Sequence, residues 1–193
     1  MRVLERRPII LALAGPNGAG KTTFYRAFLA HSGLYFINAD VIAQHLGVDA
    51  YRAAELAGDL RQQLIEQKVS FVFETVFSDP VGDKLAFLKR AESLGYTVVL
   101  IFIGISSPEM SDERVAMRVS QGGHDVPSGK LVESYPRVMQ NLKRSLIELS
   151  NVRIYDNSEM STPYRLVAVR EDGGGLRCFD AVPECLSALM SSR

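Results

Sequence analysis

The 193 residues are 47% hydrophobic and 23% charged, with 22 basic side chains balancing 22 acidic ones. A chain of this length and apolarity buries one core, and its balance leaves no whole-molecule field to attract nucleic acid or an anionic membrane. Cys178 and Cys185 form neither a metal-type cluster nor a disulfide framework, so a reducing cytoplasm and one unit over residues 1–193 are expected.

Arg2, Arg6 and Arg7 ahead of an apolar run imitate an export signal. The run is too short, and it leads straight into a glycine-rich loop that cleavage would destroy. No stretch approaches the roughly 20 apolar residues needed to cross a bilayer.

In chain order, residues 8–14 read as a strand, followed by Gly15-Pro16-Asn17-Gly18-Ala19-Gly20-Lys21-Thr22-Thr23 and a helical pattern over 22–31. Strand, phosphate loop, helix is the reading. The glycines turn main-chain N–H groups inward around a polyphosphate, Lys21 reaches the outer phosphates, and Thr22 offers its hydroxyl to a phosphate-bound Mg²⁺. A nucleoside triphosphate is the expected ligand.

Further strands are predicted over 34–38, 69–75, 97–104 and 151–155, with helices over 51–67, 81–94 and 130–149 between them. The run Val98-Val99-Leu100-Ile101-Phe102-Ile103 is apolar on both faces and belongs in the middle of a parallel sheet. Asp79-Pro80 and Ser107-Pro108 carry the cap and first-turn signals of the helices after them. Residues 164–170 and 176–179 flank the turn Gly173-Gly174-Gly175 as a terminal hairpin, with a last helix near 183–190. This alternation predicts an α/β fold with a mainly parallel sheet and a C-terminal β-hairpin.

Ligands of open parallel sheets sit beyond the carboxyl ends of the strands, so polar residues there are the candidates. Asp40 stands where it can take a proton from an acceptor hydroxyl attacking the γ-phosphate, or cap the helix that begins beside it. Glu74, inside an apolar strand, needs a partner: a substrate hydroxyl, a cation or an arginine. Arg114 and Arg118 share a helix face that breaks at Gly122-Gly123, the pattern of a flap over a transferred phosphoryl group. Between residues 114 and 144 there are six Lys or Arg against Asp125 and Glu133, a local positive surface suited to polyphosphate.

Together these residues resemble the zeta-toxin family, including its chromosomal branch described as ABC-type ATPases. The shared stretches are residues 14–23, Asn38-Ala39-Asp40, Phe73-Glu74-Thr75, Arg114 and Arg118 leading to Gly122-Gly123-His124-Asp125-Val126-Pro127, Tyr135-Pro136-Arg137 with Asn141-Leu142, and Asp156-Asn157-Ser158. The resemblance implies a three-layer P-loop kinase core with a lid near 108–130. It also implies phosphorylation of a sugar hydroxyl of UDP-N-acetylglucosamine by ATP or GTP with Mg²⁺. On this reading Asp40 is the base, Glu74, Thr75 and Arg137 contact the acceptor, Lys21 and Thr22 hold phosphates and metal, Arg114 and Arg118 support transfer, and an antitoxin protein is a partner. Where relatives commonly carry arginines before Tyr135, this chain has Val132-Glu133-Ser134. The rival readings are a kinase for another metabolite or antibiotic, and a nucleotide-controlled binding protein without transfer activity.

Overall fold

A computed structural model describes residues 2–120 and 128–179. The central strand β1 (Ile9–Ala14) is buried along its whole length, because β3 (Phe71–Thr75) and β4 (Thr97–Gly104) flank it in parallel. β2 (Tyr35–Ile37) extends the sheet beyond β3, and β5 (Val152–Asp156) adds in parallel to β4. Antiparallel β6 (Arg165–Arg170) and β7 (Arg177–Cys178) complete seven strands in the order β2-β3-β1-β4-β5-β6-β7. Each predicted strand is present, shorter by a residue or two at some ends.

Alternation along the strands divides the core into two layers. Ile10, Ala12, Phe71, Phe73, Val98 and Leu100 face α4 (Ala50–Glu66), α5 (Asp83–Ser93) and α7 (Ser128–Glu148), which contribute Ala57, Ile65, Leu85, Leu88, Val138 and Leu142. Ile9, Leu11, Leu13, Val72, Val99 and Ile101 face the other way, against Val3 of α1 (Arg2–Glu5), Phe24 of α2 (Lys21–Phe24) and Met110 of α6 (Pro108–Ser120). α3 (Ala39–Leu46) follows β2 and packs against α4.

Two local differences from the sequence reading have physical causes. The helix expected over 22–31 is one α-turn continued by a π-helix over Tyr25–Leu29 and a 3₁₀ turn over Ala30–Ser32. The wide turn accompanies a dense ring cluster, with Phe24 5.1 Å from Tyr155 and Tyr25 stacked 3.6 Å from Phe36. Asp79-Pro80 does not open α5. Gly82, at φ 85°, bends the chain first, and Asp79 Oδ2 accepts from the Lys84 N–H at 3.3 Å. Ser107 does cap α6, its Oγ accepting from the Met110 N–H at 3.3 Å. Pro136 lies within α7, where it removes one ladder N–H.

Residues 122–127, the glycine break of the expected flap, and the helix expected near 183–190 lie outside the described residues. Among the described residues no helix is long and apolar enough to cross a membrane.

Candidate active site

Between the end of β1 and the start of α2 the chain loops tightly, with Gly15, Gly18 and Gly20 at φ 145°, 70° and 90°. Only glycine takes these angles without strain. Gly15 also runs against β4: a side-chain carbon placed there would stand 2.2 Å from the Ile103 carbonyl oxygen. The loop therefore lies pressed against the sheet, at the carboxyl ends of β3, β1 and β4.

Lys21 is buried, and its Nζ donates to the carbonyls of Gly15 at 3.0 Å and Pro16 at 2.9 Å, across the loop's own mouth. Glu74 faces it from β3, with Oε1 4.0 Å from that Nζ. Oε2 of the same carboxylate accepts from Thr22 Oγ1 at 2.9 Å and from Asn38 Nδ2 at 2.8 Å. The partner required by a carboxylate in an apolar strand is thus threefold: an ammonium, a hydroxyl and an amide. Parallel pairing of Glu74 with Leu13 brings it beside the phosphate loop.

Asn38 does two jobs. Its Nδ2 holds Glu74, while its Oδ1 accepts from the Asp40 N–H at 2.8 Å and the Val41 N–H at 3.2 Å, capping α3. The capping alternative for Asp40 therefore falls to Asn38. Asp40 sits in the first turn, its exposed side chain on the wall of a cavity of about 1000 Å³. Asn38→Ala removes cap and carboxylate tether together. A cap alone contributes about 1 kcal/mol, so Tm is expected to fall by at least about 2–4 °C in thermal unfolding; an unchanged Tm would contradict the capping role.

Asn17, Gly18, Gly20, Lys21, Thr22 and Thr23 line that cavity together with Asp40, Glu74, Thr75 and Arg137. Gly15, Pro16 and Ala19 are buried behind this lining. Thr75 Oγ1 accepts from the Phe77 N–H at 3.1 Å, which shapes the wall beyond β3. Arg137 Nε donates to the Ser78 carbonyl at 3.2 Å. Arg114 also reaches the cavity, and its guanidinium donates to the carbonyls of Asn157 at 2.8 Å and Ser158 at 3.0 Å. Arg118 lies one turn further along α6, its side chain outside the described residues.

Contacts that the motifs did not reveal brace the loop from behind. Ser111 Oγ donates to the Asn17 carbonyl at 2.7 Å, Asn157 Nδ2 to that of Ala19 at 2.9 Å, and the Tyr164 hydroxyl to that of Gly20 at 2.9 Å. Burial raises the Tyr164 phenol above its ordinary pKa, so it remains a donor. Asn157 carried a signal as part of Asp156-Asn157-Ser158. Tyr164, read as a hairpin residue, carried none.

The donor set beside the loop suits a hard divalent cation: the Thr22 hydroxyl and the Glu74 carboxylate lie within hydrogen-bonding distance of one another, and Mg²⁺ takes oxygen ligands. A glycine-rich loop between a central parallel strand and a helix, with a buried lysine and a half-buried threonine and carboxylate at the mouth of a large cavity, defines the P-loop kinase class.

Comparison with known proteins gives the family. The zeta toxin family profile matches residues 49–166. The phosphate loop precedes that match, so its assignment rests on the geometry above. A Haemophilus influenzae protein described as uncharacterized is 31% identical over 115 residues, covering 57% of this chain and 80% of its own. The AvrRxo1-ORF1:-ORF2 crystal structure with ATP aligns with TM-score 0.72 at 21% identity, covering 98% of this chain and 66% of that one. A structure of the PezAT chromosomal toxin–antitoxin system of Streptococcus pneumoniae aligns with TM-score 0.64 at 19% identity, over 84% of this chain and 72% of that one. The chain thus spans about two thirds of the AvrRxo1 chain it matches. It belongs to the zeta-toxin family of P-loop phosphotransferases.

Proposed function

We propose that the protein transfers the γ-phosphoryl group of ATP or GTP, with Mg²⁺, to a hydroxyl of a small molecule, and that UDP-N-acetylglucosamine is the acceptor. The observation that carries the transfer reading is the single cavity that Lys21, Thr22 and Glu74 share with Asp40. Donor phosphates nest on the loop amides and take over the Lys21 ammonium from the Gly15 and Pro16 carbonyls. Thr22 Oγ1 and Glu74 would hold Mg²⁺, which when bound would offset the phosphate charge. The Asp40 carboxylate accepts the acceptor's hydroxyl proton while the acceptor oxygen forms a bond to Pγ. The bond between Pγ and the β–γ bridging oxygen breaks, and its electron pair leaves with the nucleoside diphosphate. Thr75 and Arg137 orient the acceptor, and Arg114 and Arg118 on α6 offset charge on the transferred group.

Glu74 has a different emphasis here from the one the resemblance implies. Its three contacts tie it to the phosphate loop and to α3, so it acts on Thr22 and the metal at least as directly as on the sugar. Residues 1–193 work as one unit in this reading, with α6 as the lid's described part. The PezAT name describes a toxin with an antitoxin, and a protein partner of that kind is part of the proposal.

Incubation with ATP or GTP, Mg²⁺ and a panel of sugar nucleotides, followed by mass spectrometry, tests both levels. Phosphorylated UDP-N-acetylglucosamine is the expected product. A different phosphorylated member of the panel would move the acceptor, and nucleotide binding with no phosphorylated product would overturn the transfer reading.

A further inference from the structure

The cavity wall formed by α4 carries a cation that the transfer chemistry does not use. Arg61 shares a helix face with Tyr51, Ala54 and Ala57, all four lining the cavity. Two small residues between Tyr51 and Arg61 leave room for a ligand to lie along the helix. The Arg61 guanidinium carbon is 5.1 Å from the Phe73 ring centroid and 5.6 Å from that of Phe87. Ring faces attract a cation but accept no conventional hydrogen bond from its N–H groups.

Three buried side-chain polar atoms lack a hydrogen-bond partner among the described residues, and two belong to this cavity: Arg61 Nε and Asp79 Oδ1. Burial lowers the Arg61 pKa with no carboxylate opposing it. The other cavity charges are engaged or lie elsewhere in the wall. Lys21 faces Glu74, Arg114 holds two carbonyls, and Arg137 Nε holds Ser78. Asp40 and Lys84 complete the charged lining. A purely packing role accounts for the two rings but leaves the buried Nε without an acceptor, on a side chain that lines the cavity.

We propose that Arg61 receives a phosphate or diphosphate group carried by the acceptor. A guanidinium presents a fork of donors that matches two phosphoryl oxygens. Lys84 and Arg137, which also line the cavity, add the charge that a multiply ionised group needs. The site thereby selects phosphorylated acceptors over their uncharged counterparts. This inference rests on the reading of the cavity as the acceptor chamber.

The test fills the donor loop with a nonhydrolysable ATP analogue in excess Mg²⁺ and titrates inorganic pyrophosphate by calorimetry. Saturable binding is expected in the loaded parent protein. Arg61→Met, which keeps the apolar stem over Phe73 and Phe87, should weaken it at least about tenfold with analogue affinity within about twofold. Arg61→Lys, which restores the charge without the planar fork, should recover only part of the affinity lost in Arg61→Met. Circular dichroism confirms folding, and if Arg61→Met fails that check, Arg61→Gln is read by the same criterion. No saturable pyrophosphate binding in the loaded parent, or equal affinity in the neutral variant, overturns the proposal. If the analogue itself does not bind the parent, the phosphate-loop reading fails instead. Pyrophosphate titration of Lys21→Ala, with and without Arg61→Met, then still reads the Arg61 subsite by the same loss of affinity.

Discussion

Asp40→Asn is expected to lower the rate of phosphoryl transfer by about 10³-fold, while affinity for a nonhydrolysable ATP analogue stays within about twofold. General-base catalysis contributes on the order of 10²–10⁴ in rate, and an amide cannot take the acceptor's proton. The structure makes the variant clean. Asn38, not Asp40, caps α3, so the helix keeps its start and loses only a first-turn negative charge. Tm should therefore stay within about 3 °C of the parent. Single-turnover measurement with the identified acceptor, alongside calorimetry with the analogue, separates chemistry from binding. Transfer at the parental rate would remove Asp40 from the mechanism.

Lys21→Ala should act at the other end of the cavity and be visible before any acceptor is known. The ammonium sits in a buried position between the Gly15 and Pro16 carbonyls and the Glu74 carboxylate, where a bound phosphate would meet it without competing bulk water. Hydrogen bonds to charged groups contribute about 1.5–3 kcal/mol, so analogue affinity is expected to fall between about tenfold and a hundredfold. Transfer should fall at least as far. The fold should survive, because Thr22 and Asn38 continue to satisfy Glu74. Parental affinity and turnover together would dissociate the loop from nucleotide. The contrast between the two variants is informative: one loses chemistry with binding intact, the other loses binding.

The parallel sheet was legible because its signal is local. Val98 to Ile103 is apolar on both faces, and that run is the buried interior of β4 between two parallel neighbours. The phosphate loop was legible for the same reason, since its glycines, Lys21 and Thr22 are contiguous. What escaped was set by distance in sequence. Nothing near Glu74 announces that Thr22, 52 residues earlier, donates to it, or that Asn38 links it to a helix cap. Nothing in the sequence around Arg61 singles it out. Its aromatic backing comes from Phe73 on β3 and Phe87 on α5, elements that follow α4 in the chain. The delayed start of α5 had a local cause that was misread: Asp79-Pro80 carries a capping pattern, yet the left-handed Gly82 supplies the turn.

The terminal hairpin adds an antiparallel edge to a parallel sheet. Yet the chain that enters it threads behind the nucleotide loop, with Asn157 and Tyr164 gripping the carbonyls of Ala19 and Gly20. Peeling that edge away, by truncation or by a competing strand, would slacken the loop from the rear without any contact with ligand.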